Sequence, residues 1–283
     1  MMRLKKWLNF GTIAVASAFL LTACGSKSAD ENVVVKVGTM AKSDSEEARW
    51  NKVEELLKDK HVTIKYTEFT DYSQPNKALE NDEIDINAFQ HYNFLNEWNK
   101  KHKTDLVGIA ETYITAFRLY SGTEGGKNKY TDVKDIPNKG TIVIPNDTVN
   151  ESRALYLLQS AGLIKLGVSG DTFATLDDVT KNEKTLDIVE VDAAQTARQL
   201  QSADAAVINN DFVVEAGIDP SKAIFIEPKG DNAKQWYNLI VAKKDWKKSQ
   251  KADAIQAVLD AYQTDEVKKV IKESSEGLDE PVW

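Results

Sequence analysis

The segment AFQHYNF, residues 88–94, concentrates aromatic side chains around one of the three histidines of the chain. A zinc site would need three or four His, Cys, Asp or Glu ligands, and His61 and His102 lie apart in Lys-rich stretches. Catalysis by His91 would need a nucleophile, yet there is no GxSxG motif and no cysteine beyond the N-terminus. The pattern therefore predicts neither a metal site nor an enzyme. A ligand pocket is favoured for His91, with core packing an equal alternative for Phe89.

A second candidate site lies in TIVIPNDTVNESRALYLLQ, residues 141–159, where a buried strand leads into a helix. We expect Asn150 to cap this helix and Arg153 to lie in its first turn. The free N–H groups and the dipole of a helix N-terminus attract anions, and an arginine can hold a carboxylate with two hydrogen bonds. The alternative is an exposed arginine paired with Glu151 or Asp147. No glycine-rich phosphate loop precedes the helix, which argues against a nucleotide.

Further polar side chains stand at the ends of, or inside, apolar strands. AAVINNDF ends a buried strand with Asn209 and Asn210, and WYNLIVAK places Asn238 in an otherwise apolar strand. A buried amide without partners costs about 1–3 kcal/mol, so Asn238 bonds either a ligand or a neighbouring backbone group. Tyr72 precedes a short helical segment and offers a ring and a hydroxyl. Together with an arginine, these residue types suit a zwitterion that carries an apolar side chain.

The elements that must position these residues alternate between strand and helix patterns. Val/Ile-rich runs are followed by amphipathic segments from residue 33 onward, which predicts an α/β fold with substantial parallel pairing. We expect AAQTARQLQS (193–202) to be a helix and residues 249–274 to form one long closing helix. The best boundaries between two α/β units fall near 117–122 and 225–230, so that the C-terminal strand and helix return to the first unit.

The N-terminal residues have the features of an export signal. A basic leader and a short apolar run precede LTAC, which predicts a signal peptide over residues 1–23 rather than a membrane span. LTAC resembles a bacterial lipobox, so we expect Cys24 to carry lipid and residues 24–32 to form a flexible tether. An ordinary signal cleaved nearby is the alternative. Acyl chains contribute about 0.8 kcal/mol per buried methylene, which would hold the protein at the extracytoplasmic face of a cell membrane.

Composition excludes several classes of partner. The 283-residue chain has a formal net charge of −8, so it repels phosphate backbones and is not expected to bind nucleic acid. Only five of its 36 basic residues are arginines, which makes each internal arginine a candidate for a role that lysine cannot fill. We expect a monomer without a cofactor.

Several motifs in order resemble those of the NlpA lipoprotein family, the MetQ-like methionine-binding lipoproteins of bacterial ABC importers. They are DYSQPNKAL, DINAFQHYNFL, PNDTVNESRALYLLQSAGLIKL, AVINND, YNLIV and AYQTDEV, and they extend over nearly the whole exported chain. The resemblance implies a two-lobed, periplasmic-binding-protein-like fold of type II, with mixed sheets, helices on both faces and a ligand cleft between the lobes. The lobe boundaries that we predict are 33–118 with 228–283 for lobe 1, and 119–227 for lobe 2.

The same resemblance implies roles for eight residues around the ligand. Aromatic walls and a histidine would surround the ligand side chain, an asparagine and an arginine would hold its carboxylate, and two further asparagines would bind its backbone polar groups. In that order the residues are Tyr72, Phe89, Phe94, His91, Asn150, Arg153, Asn209 and Asn238. Two departures stand out: Phe94 occupies a position where the family often has Tyr, and Ala116 one where relatives commonly have Pro.

The function implied by the resemblance is capture of methionine between the lobes and delivery to an ABC permease driven by its ATPase. The residues alone do not separate methionine from leucine-like or short peptide ligands, because a pocket distinguishes one methylene by only about 1–3 kcal/mol. D-methionine, a methionine-containing dipeptide and another sulfur amino acid therefore stay open as ligands. A surface adhesin with an unused cleft is the alternative from another class.

Overall fold

The computed structural model describes residues 32–170, 172–230 and 232–283. The predicted signal peptide, Cys24 and all but the last residue of the predicted tether lie outside the described residues. Within the described part of the chain, none of the helices combines the length and apolarity needed to cross a membrane.

Strands and α-helices alternate over residues 33–111, as the hydrophobic pattern predicts, whereas six strands follow one another over residues 107–145 without an α-helix between them. The strands are β1 (Val33–Met40), β2 (Val62–Phe69), β3 (Ile86–His91), β4 (Val107–Glu111), β5 (Tyr113–Thr115), β6 (Arg118–Ser121), β7 (Thr123–Glu124), β8 (Lys127–Asn128), β9 (Thr141–Pro145), β10 (Lys165–Leu166), β11 (Val179–Lys181), β12 (Asp187–Val191), β13 (Ala205–Ile208), β14 (Ala223–Ile226), β15 (Asn238–Ala242) and β16 (Asp279–Pro281). The α-helices are α1 (Asp44–Leu57), α2 (Pro75–Glu80), α3 (Tyr92–His102), α4 (Thr148–Ser160), α5 (Asn210–Glu215), α6 (Ala252–Tyr262) and α7 (Asp265–Ser274).

The first five-stranded sheet has the order β2-β1-β3-β15-β4. Strands β1, β2 and β3 are parallel, whereas β15 runs antiparallel between β3 and β4. One face is covered by α1, α6 and α7, whose apolar residues pack on the sheet around the fully buried Trp50 and Val258. This core depends on the C-terminal helices, so the end of the chain belongs to the same sheet as its beginning.

The second five-stranded sheet repeats this plan with the order β12-β9-β13-β6-β14. Here β12, β9 and β13 are parallel, and β6 is the strand that runs antiparallel to its neighbours. Helix α4 buries Ala154, Leu155 and Leu158 against this sheet. The chain passes from the first sheet to the second between β4 and β6, and it returns between β14 and β15.

Two helix predictions were wrong in detail. The predicted helix over 249–274 is two helices, because Thr264 adopts an extended backbone and its hydroxyl accepts a hydrogen bond from Val267 N, which starts α7 afresh. Residues 193–202 contain two short 3₁₀ helices, Ala193–Gln195 and Ala197–Gln201, instead of one α-helix. The hydroxyl of Thr196 donates to Ala193 O and so competes with regular helical bonding.

Candidate functional site

A cavity of about 50 Å³ lies between the two sheets, and it is partly open to solvent. All eight residues that the sequence singles out line it: Tyr72, Phe89, His91, Phe94, Asn150, Arg153, Asn209 and Asn238. The remaining lining residues are Gln90, Tyr113, Thr115, Ala116, Phe117, Asn210 and Asp211. The structure thus brings the eight residues together, while their roles toward a ligand stay predictions.

Strand direction explains why distant segments meet here. His91 ends β3 of the first sheet, and Asn209 directly follows β13 of the second. The carboxyl ends of parallel strands are where α/β sheets commonly bind ligands. Because those ends of both sheets border the same cavity, each sheet contributes one wall.

One wall is a cluster of aromatic rings. Tyr72 lies 5.9 Å from Phe89 and 5.9 Å from Phe94, and Phe89 and Phe94 are 5.7 Å apart, all between ring centroids. Phe212 of α5, beside the second sheet, packs 5.0 Å from Tyr72. Phe89 is buried, so the core-packing alternative holds for part of its ring while another part faces the cavity. These rings form an apolar surface suited to an aliphatic or thioether group.

His91 joins this wall as the N-cap of α3. Its Nδ1 accepts a hydrogen bond from Phe94 N at 3.2 Å, so the proton of the neutral ring is on Nε2. Burial, together with the positive charge of Arg153, lowers the pKa of His91 to about 3. His91 is therefore a neutral hydrogen-bond donor near neutral pH and not a source of positive charge.

The start of α4 differs from the sequence-based prediction. Asp147, rather than Asn150, is the N-cap, and its Oδ1 accepts from Asn150 N at 3.0 Å. The Asn150 amide also donates to both carboxylate oxygens of Asp147. An acidic side chain occupies this helix N-terminus, so the prediction that Asn150 caps the helix was wrong, while the role of Arg153 toward an anion stays a prediction. Aspartate and asparagine are equally good N-cap residues, and the helix begins early enough in the chain for Asp147 to be the cap.

Arg153 is buried in the second turn of α4 and pairs with neither Glu151 nor Asp147. Its Nε donates to Glu227 Oε1 at 2.8 Å, and its Nη2 donates to Glu227 Oε2 at 2.5 Å. Nη2 also donates to Thr115 O at 3.1 Å. The remaining nitrogen, Nη1, has no hydrogen-bond partner within the described residues, so it is available to a molecule in the cavity.

Two aromatic rings fix the guanidinium of Arg153 further. Its central carbon lies 4.4 Å from the Trp236 ring centroid and 5.1 Å from that of Phe117. Trp236 also contacts His91 edge-on at 5.0 Å. Such contacts contribute about 0.5–2 kcal/mol and restrict the plane of the guanidinium.

Several oxygen atoms around the cavity lack partners. The oxygens Asn209 Oδ1, Asn210 Oδ1 and Thr115 Oγ1 are buried without a hydrogen bond from the described residues. The amide nitrogen of Asn238 donates to Tyr113 O at 3.3 Å, which is the backbone bridge that we considered for this residue. Unsatisfied buried acceptors are costly, and a positively charged amino group would satisfy them.

Asp211 links the two walls. It accepts a 2.7 Å hydrogen bond from the hydroxyl of Tyr72, across the cavity from its own sheet. Burial, with the repulsion of Asp279, raises the pKa of Asp211 to about 6 despite this bond and the nearby Arg49. The two walls are therefore in direct contact at this point.

Three further residues contribute to the site without having been predicted from the sequence. Glu227 lies within the predicted second boundary, Trp236 stands two residues before Asn238, and Asp211 directly follows Asn210. Adjacency to a predicted boundary or site residue is the signal that could have found them. Within the described residues, no group of three His, Cys, Asp or Glu side chains is placed to bind a metal ion.

The cavity combines one arginine nitrogen, several unpaired oxygen acceptors and an apolar aromatic wall. An arginine suits a carboxylate and the acceptors suit an ammonium group. The rings suit an uncharged tail. The arrangement is complementary to a small zwitterion with an apolar side chain.

Comparison with known proteins agrees with this chemistry. The crystal structure of the substrate-binding protein of a methionine transporter from Streptococcus pneumoniae matches with a TM-score of 0.86 and 62% identity, over 88% of this chain and 96% of that one. A nutrient-binding protein from Burkholderia cenocepacia, solved bound to methionine, matches with a TM-score of 0.78 and 35% identity, over 88% of this chain and 100% of that one. These likenesses confirm the predicted two-lobed α/β fold.

Sequence comparison leads to the same group. The D-methionine-binding lipoprotein MetQ of Escherichia coli K12 is 33% identical over 267 residues, which is 93% of each chain. The family model described as NlpA lipoprotein matches residues 35–283. With nearly all of the described residues matched, the chain belongs to the NlpA lipoprotein family.

Proposed function

We propose that this chain is a lipid-anchored, extracytoplasmic substrate-binding protein that captures methionine between two lobes and delivers it to an ABC permease with its ATPase. The observation that carries the proposal is the cavity itself, where Arg153, buried acceptors without a partner among the described residues, and aromatic rings meet. Relatives that are named for methionine support the choice of ligand. Because the chain belongs to a family of substrate-binding lipoproteins, it is not an enzyme.

Each part of the ligand has a partner in this proposal. Nη1 of Arg153 holds the carboxylate, and the oxygens of Asn209 and its neighbours accept from the ammonium group. Asn150, which accepts a hydrogen bond from the Asn209 amide at 3.2 Å, joins Arg153 at the carboxylate, and Asn238 joins Asn209 at the backbone polar groups of the ligand. The thioether lies against the rings, where sulfur–aromatic contacts contribute about 0.3–1.5 kcal/mol each. The rings concerned are those of Tyr72, Phe89 and Phe94, with the neutral His91 beside them.

Delivery requires that the ligand change the arrangement of the lobes. We assign lobe 1 to residues 33–118 and 228–283 and lobe 2 to residues 119–227, with the crossings as the hinge. A ligand that bonds to both lobes stabilises the closed form by its differential affinity for the two states. The permease would then recognise the closed monomer, held at the membrane by lipid on Cys24.

Calorimetry with a panel of amino acids tests the proposal. We expect saturable binding of L-methionine, and comparison with D-methionine, a methionine-containing dipeptide and other sulfur amino acids ranks the ligands. Native mass spectrometry of protein purified without unfolding identifies any ligand retained in the cleft. Absence of heat from every member would refute the proposal and favour a surface adhesin. For the anchor, Cys24→Ala should release the protein from membranes without changing its ligand affinity.

A further inference from the structure

The ion pair between Arg153 and Glu227 does more than neutralise a buried charge. Glu227 Oε2, which accepts from Arg153 Nη2, also accepts from Phe117 N at 2.9 Å. The backbone of Glu227 in turn donates to Phe117 O at 2.9 Å. Phe117 lies where the chain first leaves the first sheet, and Glu227 lies where it starts back. One carboxylate therefore ties Arg153 to both crossings.

The bidentate interaction with Glu227 restricts the orientation of the Arg153 guanidinium group. Nε and Nη2 are both committed to Glu227, so the nitrogen left for the cavity is Nη1. Burial alone would raise the pKa of Glu227, but the charge and hydrogen bonds of Arg153 outweigh it and hold that pKa below its ordinary value. Glu227 is thus ionised near neutral pH and fully engaged. A bidentate arginine–carboxylate pair fixes orientation as well as energy.

We propose that Glu227 is a positioning residue that aims Nη1 of Arg153 at the ligand carboxylate and couples that contact to both chain crossings. This inference rests on the function proposed above. Glu227 does not line the cavity and acts through Arg153.

Two effects of Glu227 on a bound carboxylate have opposite signs. Its negative charge partly cancels that of Arg153, so its removal would strengthen binding if charge were its main effect. Its hold on the guanidinium fork pre-organises the site, so its removal would weaken binding if positioning were its main effect. A guanidinium group whose orientation is already fixed loses less conformational entropy when it binds a carboxylate. We therefore expect the positioning effect of Glu227 to outweigh the effect of its charge.

The test is Glu227→Gln, which keeps the shape of the side chain but removes its charge and one acceptor oxygen. Calorimetry should show at least a tenfold weaker affinity for L-methionine, but less than a threefold change for L-methioninamide, which lacks the carboxylate. Glu227→Asp, which keeps the charge but shortens the side chain, should also lower the affinity for L-methionine more than the affinity for L-methioninamide. The matched control is Glu111→Gln, because Glu111 accepts from Tyr92 and pairs with Lys234 outside the cavity; both its affinities should stay unchanged.

Each other result overturns the proposal in a distinguishable way. Equal losses for both ligands in both Glu227 variants would mean that the residue is merely structural. A gain in methionine affinity in Glu227→Gln would mean that charge neutralisation dominates. If the unmodified protein failed to bind methionine, the proposed function would fall and this inference with it.

Discussion

The hydroxyl of Tyr72 donates a 2.7 Å hydrogen bond to Oδ2 of Asp211, and the two residues belong to opposite walls of the cleft. Tyr72 comes from the connection between β2 and α2 of the first sheet, whereas Asp211 lies in the first turn of α5 beside the second. Phe212 packs on the same tyrosine ring. The two walls of the cleft therefore touch beside the aromatic wall, and in the proposed function this contact would help to hold the lobes around a ligand.

Removal of that hydroxyl should weaken ligand binding. We expect Tyr72→Phe to lower methionine affinity about 10- to 100-fold, because a hydrogen bond to a charged group contributes about 1.5–3 kcal/mol. Calorimetry measures the change. Tyr92→Phe is the matched control, since its hydroxyl donates to Glu111 at 2.8 Å outside the cavity. Equal affinities of Tyr72→Phe and the unmodified protein would show that the bond to Asp211 does not contribute to closure.

The arginine fork should not be replaceable by another cation. We expect Arg153→Lys to lose at least about tenfold in methionine affinity, because an ammonium group cannot hold both oxygens of Glu227 and also reach the ligand. Lysine is preferred to alanine here, since alanine would leave the Glu227 carboxylate buried and unpaired. Arg198→Lys, an exposed arginine far along the chain, is the control. An unchanged methionine affinity in Arg153→Lys would show that the proposed contact with the ligand carboxylate does not require the guanidinium group.

His91 should stay neutral across the physiological range. With its pKa lowered to about 3, the imidazole should remain the Nε2–H tautomer from pH 8 to pH 5 in nitrogen-15 NMR spectra. The signals that are absent from the spectrum of His91→Gln are assigned to His91. The unfolded chain takes up a proton at about pH 6.5 that the folded chain does not, so the free energy of unfolding should fall as pH drops below that value. A titration midpoint of His91 between pH 5 and 8 would contradict the buried, neutral state.

A side chain at Gly122 should destabilise the second sheet. A Cβ atom there would lie 2.1 Å from Ala203 O, a backbone atom that cannot move aside without disturbing β13. We expect Gly122→Ala to lower the free energy of unfolding by at least about 2 kcal/mol in urea titrations. Gly170→Ala is the control, because no atom of the described residues that could clash lies within 4 Å of its added Cβ. Equal midpoints for both variants would contradict the packing described at this turn.

The strand ends that carry site residues could be predicted from the sequence. The ion-pair partner of Arg153 and the residue that caps α4 could not. Phe89 and His91 lie at the end of a strand that the sequence pattern predicts, and Phe94 lies in the first turn of the next helix, so their position at a sheet edge was predictable. The partner of Arg153 was not, because Glu227 lies 74 residues away and meets it only through the return crossing. The choice of Asp147 over Asn150 as helix cap was equally hidden, since both residue types cap well and only the backbone path decides.

The shared plan of the two sheets has a consequence for the order in which the chain can mature. A nascent chain that ends at residue 226 already contains every strand of the second sheet. The first sheet still lacks β15, the strand that joins β4 to β3. The sheet whose first strands are synthesised earliest is therefore completed last. Strands β3 and β4 lack their common neighbour β15 until more than a hundred further residues have been synthesised.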